Sequence, residues 1–163
     1  MTVRFLSAVL LIVITVFVVF APITLANDVK PQVGHLAPDF TFKDLDGNEV
    51  SLSDFRGQPV FFSPWFTGCP VCQREMVEWQ AFFEAFGDLV TVLGINVADT
   101  PQVAADFMQQ RGATFPALSD PKGDFLLKYR VTKMPTMFFV DPEGVIQEIS
   151  KVTLTADGLA GIF

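Results

Sequence analysis

Cys69-Pro70-Val71-Cys72 most limits what this chain can fold into, because it stands where one structural period gives way to another. Upstream, Pro59 to Ser63 is a short apolar run that reads as a buried strand closed by Pro64. Downstream, Trp79, Phe82, Phe83 and Phe86 recur at i, i+3, i+4 and i+7. That is one face of a helix that starts near Pro70 and stops at Gly87. Three residues apart on a first helical turn, the two sulfurs come close enough to bond. The helix N-terminus directs unpaired N–H groups and the positive end of its dipole at Cys69, which favours the thiolate. Pro70 suits the first helical position, where its missing N–H would have no partner anyway. The pattern supplies a nucleophile, a resolving thiol and a means of lowering a thiol pKa. A chance pair, half of an intermolecular metal site and an inert structural disulfide are the other readings it leaves open.

The rest of the chain alternates strands with helices. Phe40 to Lys43 and Glu49 to Leu52 flank Asp46-Gly47-Asn48 and read as a β-hairpin. Leu89 to Val97 is apolar almost throughout, as expected of a strand covered on both faces. Pro101 opens a second helix that ends at Gly112, and Gly123 to Arg130 reads as a third. Thr136 to Val140 and Val145 to Ile149 flank Asp141-Pro142-Glu143-Gly144, a second strand-turn-strand signal, and Thr155 is placed to cap a last helix. Such an order predicts an α/β sandwich around a central sheet.

Composition narrows the chemistry. The 163 residues carry a formal charge of -7, and no Lys/Arg cluster interrupts the acidic balance, which argues against a nucleic-acid partner. His35 is the only histidine, and no Gly-x-Ser-x-Gly stretch accompanies it for serine hydrolase chemistry. Two thiols and one distant imidazole do not make a four-ligand zinc site within one chain, so no metal is expected. No other cofactor is expected either, the redox group being the cysteine pair itself.

The first residues bear on location. After Arg4, an uncharged and nearly continuous apolar run extends from Phe5 to Ala26. Arg4 and the amino terminus keep the start inside the cell, which puts the remainder outside. Thr24-Leu25-Ala26 has the small residues of a signal-peptidase site, yet Phe5 to Ala21 approaches the ~17–25 residues that span a bilayer. Residues 1–26 are therefore a cleaved signal peptide or an N-terminal membrane anchor, 27–33 a linker, and 34–163 one domain. Either way the domain is expected to be extracytoplasmic, where disulfides persist.

The residues from Gly34-His35-Leu36-Ala37-Pro38-Asp39-Phe40 through Leu52-Ser53-Asp54-Phe55-Arg56-Gly57 resemble the opening of the redoxin superfamily. This superfamily includes peroxiredoxins and the membrane-associated thioredoxin-like reductases of the TlpA/ResA type. Trp65 followed by Cys69-Pro70-Val71-Cys72-Gln73-Arg74-Glu75-Met76 is similar to the TlpA-type segment Trp-x-x-x-Cys-x-x-Cys-x-x-Glu-Met. Lys133-Met134-Pro135-Thr136 and the strand after it resemble that family's cis-proline loop. The resemblance implies a thioredoxin-like fold, with a central mixed sheet flanked by helices, an N-terminal hairpin extension and a preceding hydrophobic targeting helix. It implies thiol–disulfide exchange on protein substrates, as in cytochrome c maturation or extracytoplasmic redox homeostasis, recharged by a membrane-embedded or soluble reductant.

By the same resemblance Cys69 is the exposed nucleophile and Cys72 the shielded partner. Pro135 faces the pair, Met134 offers its backbone to an extended substrate, and Glu75 tunes the thiols. Glu75 also has a plainer reading, a first-turn acid interacting with the helix dipole. Trp65 reads as core packing. Two departures stand out. Gly68 occupies a position that is usually aromatic, and Ser63 stands where thioredoxins place a buried carboxylate, leaving proton handling to Glu75 or water. A peroxiredoxin-like thiol peroxidase with antioxidant activity is the competing activity. The peroxiredoxin signature is Pro-x-x-x-Thr-x-x-Cys, whereas Pro64, Thr67 and Cys69 are one residue closer in each gap. A binding domain with a structural disulfide is the non-enzymatic alternative.

Overall fold

The computed structural model describes residues 28–163. The signal or anchor expected over 1–26 lies outside the described residues, as does Asn27. Of the expected linker, Lys30 donates its backbone N–H to Leu36 and Val29 forms a bridge with the same residue, so this stretch folds back onto the domain.

Among the described residues seven strands, numbered β1 to β7 in chain order, form one mixed sheet in the order β2-β1-β5-β4-β3-β6-β7. The expected hairpin is β1 (Thr41–Asp44) and β2 (Glu49–Ser51), antiparallel, with Thr41 opposite Ser51. The middle is parallel: β3 (Val60–Trp65) beside β4 (Thr91–Val97), and β4 beside β5 (Ala117–Asp120). On the far side β6 (Met137–Val140) and β7 (Ile146–Ser150) close the sheet as an antiparallel pair. Among the described residues four α-helices, α1 (Pro70–Phe86), α2 (Pro101–Arg111), α3 (Asp124–Lys128) and α4 (Ala156–Ala160), and a 3-10 turn over Leu52–Phe55 accompany the sheet.

Alternation along β3 separates two cores. Phe61 and Trp65 pack with Met76, Trp79 and Phe82 of α1 and with Ala104 of α2. Val60 and Phe62 pack with Phe40, Phe125, Tyr129 and Phe138 on the other face. Strand side chains point to opposite faces in turn, so one apolar run feeds both layers. Aromatic rings fill much of the second core, with Phe125 and Tyr129 stacked at 4.5 Å between centroids.

Two expectations need correction, and one strand was not foreseen. Pro64 does not end its strand; β3 runs on to Trp65, with Pro64 aligned to Ile95 of β4. The ladder with β6 stops at Phe62, and a strand with one free edge tolerates a missing N–H. Leu89 belongs to the turn before β4 and is 70% exposed. β5 has no alternation and no long apolar run, and it is buried along its whole length because β4 and β1 hold it on either side.

Candidate active site

Parallel strands β3 and β4 end side by side, with Trp65 aligned to Asn96. The crevice outside the carboxyl ends of such strands is where open α/β sheets place their chemistry. Here β3 runs through Phe66-Thr67-Gly68 into Cys69, the N-cap of α1, and Pro70 is its first residue. Cys69 and Cys72 are disulfide-bonded, with their Cα atoms 5.3 Å apart. Cys69 Sγ also accepts a 3.2 Å hydrogen bond from the Cys72 backbone N–H. A sulfur so placed receives a helix N–H and the dipole together, the two influences that stabilise a thiolate once the bond opens. Both residues are nearly closed to solvent: Cys69 is 4% exposed and Cys72 1%. Cys69, expected to be exposed, is therefore only slightly more open than its partner, although its neighbours Gly68 and Pro70 are exposed.

Glu75 is fully buried, about one turn along α1 from Cys72, and it is not the first-turn acid of the plainer reading. Cys72, Glu75, Met76 and Trp79 share the buried face of α1, so a carboxyl stands in an apolar row. Burial pushes its pKa above the ordinary carboxylate value; Thr153 and the Arg74 charge oppose this more weakly. Neither carboxyl oxygen completes a hydrogen bond among the described residues. A group in that state favours holding its proton.

The Met134–Pro135 peptide bond is cis. Met134 is half-buried and packs against the cluster that contains both cysteines. Just beyond, the Ser63 hydroxyl donates to the Thr136 carbonyl oxygen. Trp65 is fully buried, as its core reading required.

One part of the site escaped the sequence reading. The Asp99 carboxylate accepts from the Thr67 backbone N–H at 2.8 Å, from the Thr67 hydroxyl at 2.9 Å and from Asn96 Nδ2 at 2.9 Å. An acid two residues past a long buried strand was the available signal, but its partner lies 32 residues away.

A thioredoxin-like sheet that delivers a bonded Cys-x-x-Cys pair onto a helix N-terminus defines a thiol–disulfide oxidoreductase, and relatives agree. The chain belongs to the AhpC/TSA family, which it matches over residues 33–149. It is 35% identical over 128 residues to thiol-disulfide oxidoreductase ResA of Geobacillus kaustophilus, covering 78% of this chain and 74% of that protein. The crystal structure of StoA from Bacillus subtilis superposes with a TM-score of 0.68 at 28% identity, over 77% of this chain and 96% of the other. A secreted thiol-disulfide isomerase from Corynebacterium glutamicum gives 0.71 at 26% identity, over 78% and 82%. The protein is thus an oxidoreductase whose chemistry is that of cysteine sulfur.

Proposed function

We propose that this enzyme reduces or exchanges disulfides of extracytoplasmic proteins, with Cys69 as the attacking thiol and Cys72 as the resolving one. The Cys69 thiolate attacks one sulfur of a substrate disulfide; that S–S bond breaks and its other sulfur leaves as a thiolate. Cys72, as thiolate, then attacks Cys69 in the mixed disulfide, closing the Cys69–Cys72 bond and releasing the second substrate sulfur. The substrate gains two electrons, the pair loses two, and the two protons of the pair end on the released thiols. An external dithiol, membrane-embedded or soluble, restores the reduced pair.

The observation that carries this reading is the place of Cys69 at the N-cap of α1, with a helix N–H on its sulfur. Glu75 serves the resolving step: as a carboxylate it takes up the proton that Cys72 must lose, an uptake that its raised pKa favours. Met134 and Pro135 present backbone to an extended substrate segment, giving affinity with little sequence preference. The targeting reading of residues 1–26 and the secreted relative support an extracytoplasmic location for the 34–163 domain. A peroxidase reading loses support at Thr67, whose hydroxyl is committed to Asp99.

Equilibration of the pair in graded redox buffers tests the proposal. An exchange enzyme titrates above about -300 mV, whereas a purely structural bond lies below it. A potential in the structural range, with no reduction of a protein disulfide, would overturn the reading.

A further inference from the structure

Thr67, the middle one of the three residues between β3 and Cys69, is tied down on both sides. Asp99 holds Thr67 by its N–H and its hydroxyl. From the other side, Gln73 Nε2 donates to the Thr67 carbonyl oxygen at 2.8 Å, and Arg111 Nη2 donates to Gln73 Oε1 at 2.8 Å. Both polar groups of the Thr67 backbone are therefore occupied, by β4's end and by α1 and α2. Gly68 comes next, exposed and with the widest backbone freedom of any residue. Without an anchor at Thr67, that freedom would pass directly to Cys69.

Asp99 is itself held with care. It follows Ala98, whose φ of 72° lies in the left-handed region that alanine rarely adopts. Strained backbone persists where the surroundings over-determine it, and here its consequence is to aim the next side chain at Thr67. Asn96 completes the set of donors, and no cation among the described residues pairs with the carboxylate. The Asp99 side chain thus joins the ends of the two parallel strands and acts on the segment that delivers the nucleophile.

We propose that Asp99 is a positioning residue for thiol–disulfide exchange, clamping Phe66–Gly68 so that Cys69 stays seated at the mouth of α1 in line for attack. The inference rests on Cys69 being the attacking thiol. Attack on a disulfide requires alignment of the incoming sulfur with the bond that breaks, so a loosened nucleophile reacts more slowly even when fully ionised.

The test is the rate constant for attack of the reduced full-length protein on oxidised glutathione as a function of pH. Its plateau, where the thiolate is complete, reports alignment, and its midpoint reports pKa. D99A is expected to lower the plateau by about five-fold or more, and D99N by less than about two-fold because its amide oxygen still accepts from Thr67. Thr67→Val, which keeps the backbone bond and loses the hydroxyl, is expected to fall between them. Circular dichroism confirms that each variant is folded; if D99A is not, the Thr67→Val plateau decides. A wild-type plateau in folded D99A, or in Thr67→Val when D99A is unfolded, would overturn the proposal. So would a D99N plateau as low as that of D99A, since charge and not the clamp would then set the rate. Alkylation of Cys72 before Cys69 would instead remove the assignment of the nucleophile, and this proposal with it.

Discussion

The Ser63 hydroxyl donates a 3.2 Å hydrogen bond to the carbonyl oxygen of Thr136, and both residues are buried. The bond joins the strand that leads to Cys69 to the segment that follows Pro135, across 73 residues of sequence. Because the ladder between β3 and β6 ends at Phe62 and Phe138, this side-chain bond extends the link between the two strands toward the site.

Ser63→Ala leaves the Thr136 carbonyl without that partner. A buried acceptor deprived of its donor costs about 1–3 kcal/mol, so the variant is expected to unfold at lower denaturant with an unchanged slope. Urea titration followed by tryptophan fluorescence measures it. An unchanged midpoint would show that the bond contributes nothing to stability.

Glu75 makes stability depend on pH. Its folded pKa lies above the ordinary 4.5, so the folded protein holds a proton that the unfolded chain has already released. This contribution is fully present below pH 4.5 and is lost as pH rises through the folded value. Glu75→Gln removes the titration and is expected to flatten the fall in stability over that window. Denaturation midpoints across the pH range check the sign; a steeper fall in the variant would contradict it.

Gly94 is required by close packing. A Cβ there would lie 2.7 Å from Trp65 Nε1 and 2.9 Å from the Phe115 ring. Gly94→Ala forces fully buried aromatic neighbours to move, and overpacking of this kind costs about 1–3 kcal/mol. A drop in thermal midpoint is expected, and an unchanged midpoint would mean that the rings yield freely.

Peroxide is expected to be a poor substrate. The Thr67 hydroxyl donates to Asp99, and the Pro64–Thr67–Cys69 spacing is contracted relative to the peroxiredoxin signature. Stopped-flow oxidation by hydrogen peroxide should therefore be much slower than exchange with a protein disulfide. Comparable rates would restore the peroxidase reading.

Much of the fold was legible because periodicity reports burial. The Trp79, Phe82, Phe83, Phe86 stripe gave α1, and the turn residues around Gly47 and Gly144 gave both hairpins. β5 was hidden because Ala117-Leu118-Ser119-Asp120 is short, and its burial comes from neighbouring strands rather than from its own pattern. Pro64 misled because local propensity marks a strand end, while the pairing that tolerates it depends on where β6 stops. At the site, the cysteine pair was legible from its spacing. The burial of Glu75 could also have been read from its place in the row Cys72, Glu75, Met76, Trp79. The Asp99–Thr67 clamp could not, since it exists only once two parallel strands are aligned.

Trapping the mixed disulfide tests the central claim most directly. The reduced Cys72→Ser variant is mixed with a protein disulfide, quenched with acid and mapped by mass spectrometry, beside Cys69→Ser treated in the same way. With Cys69 as nucleophile and no resolving thiol, the first variant should accumulate a covalent adduct on the Cys69 peptide, and the second should accumulate little. Adducts that form on Cys72 in the Cys69→Ser variant, with none on Cys69 in its counterpart, would contradict the assignment.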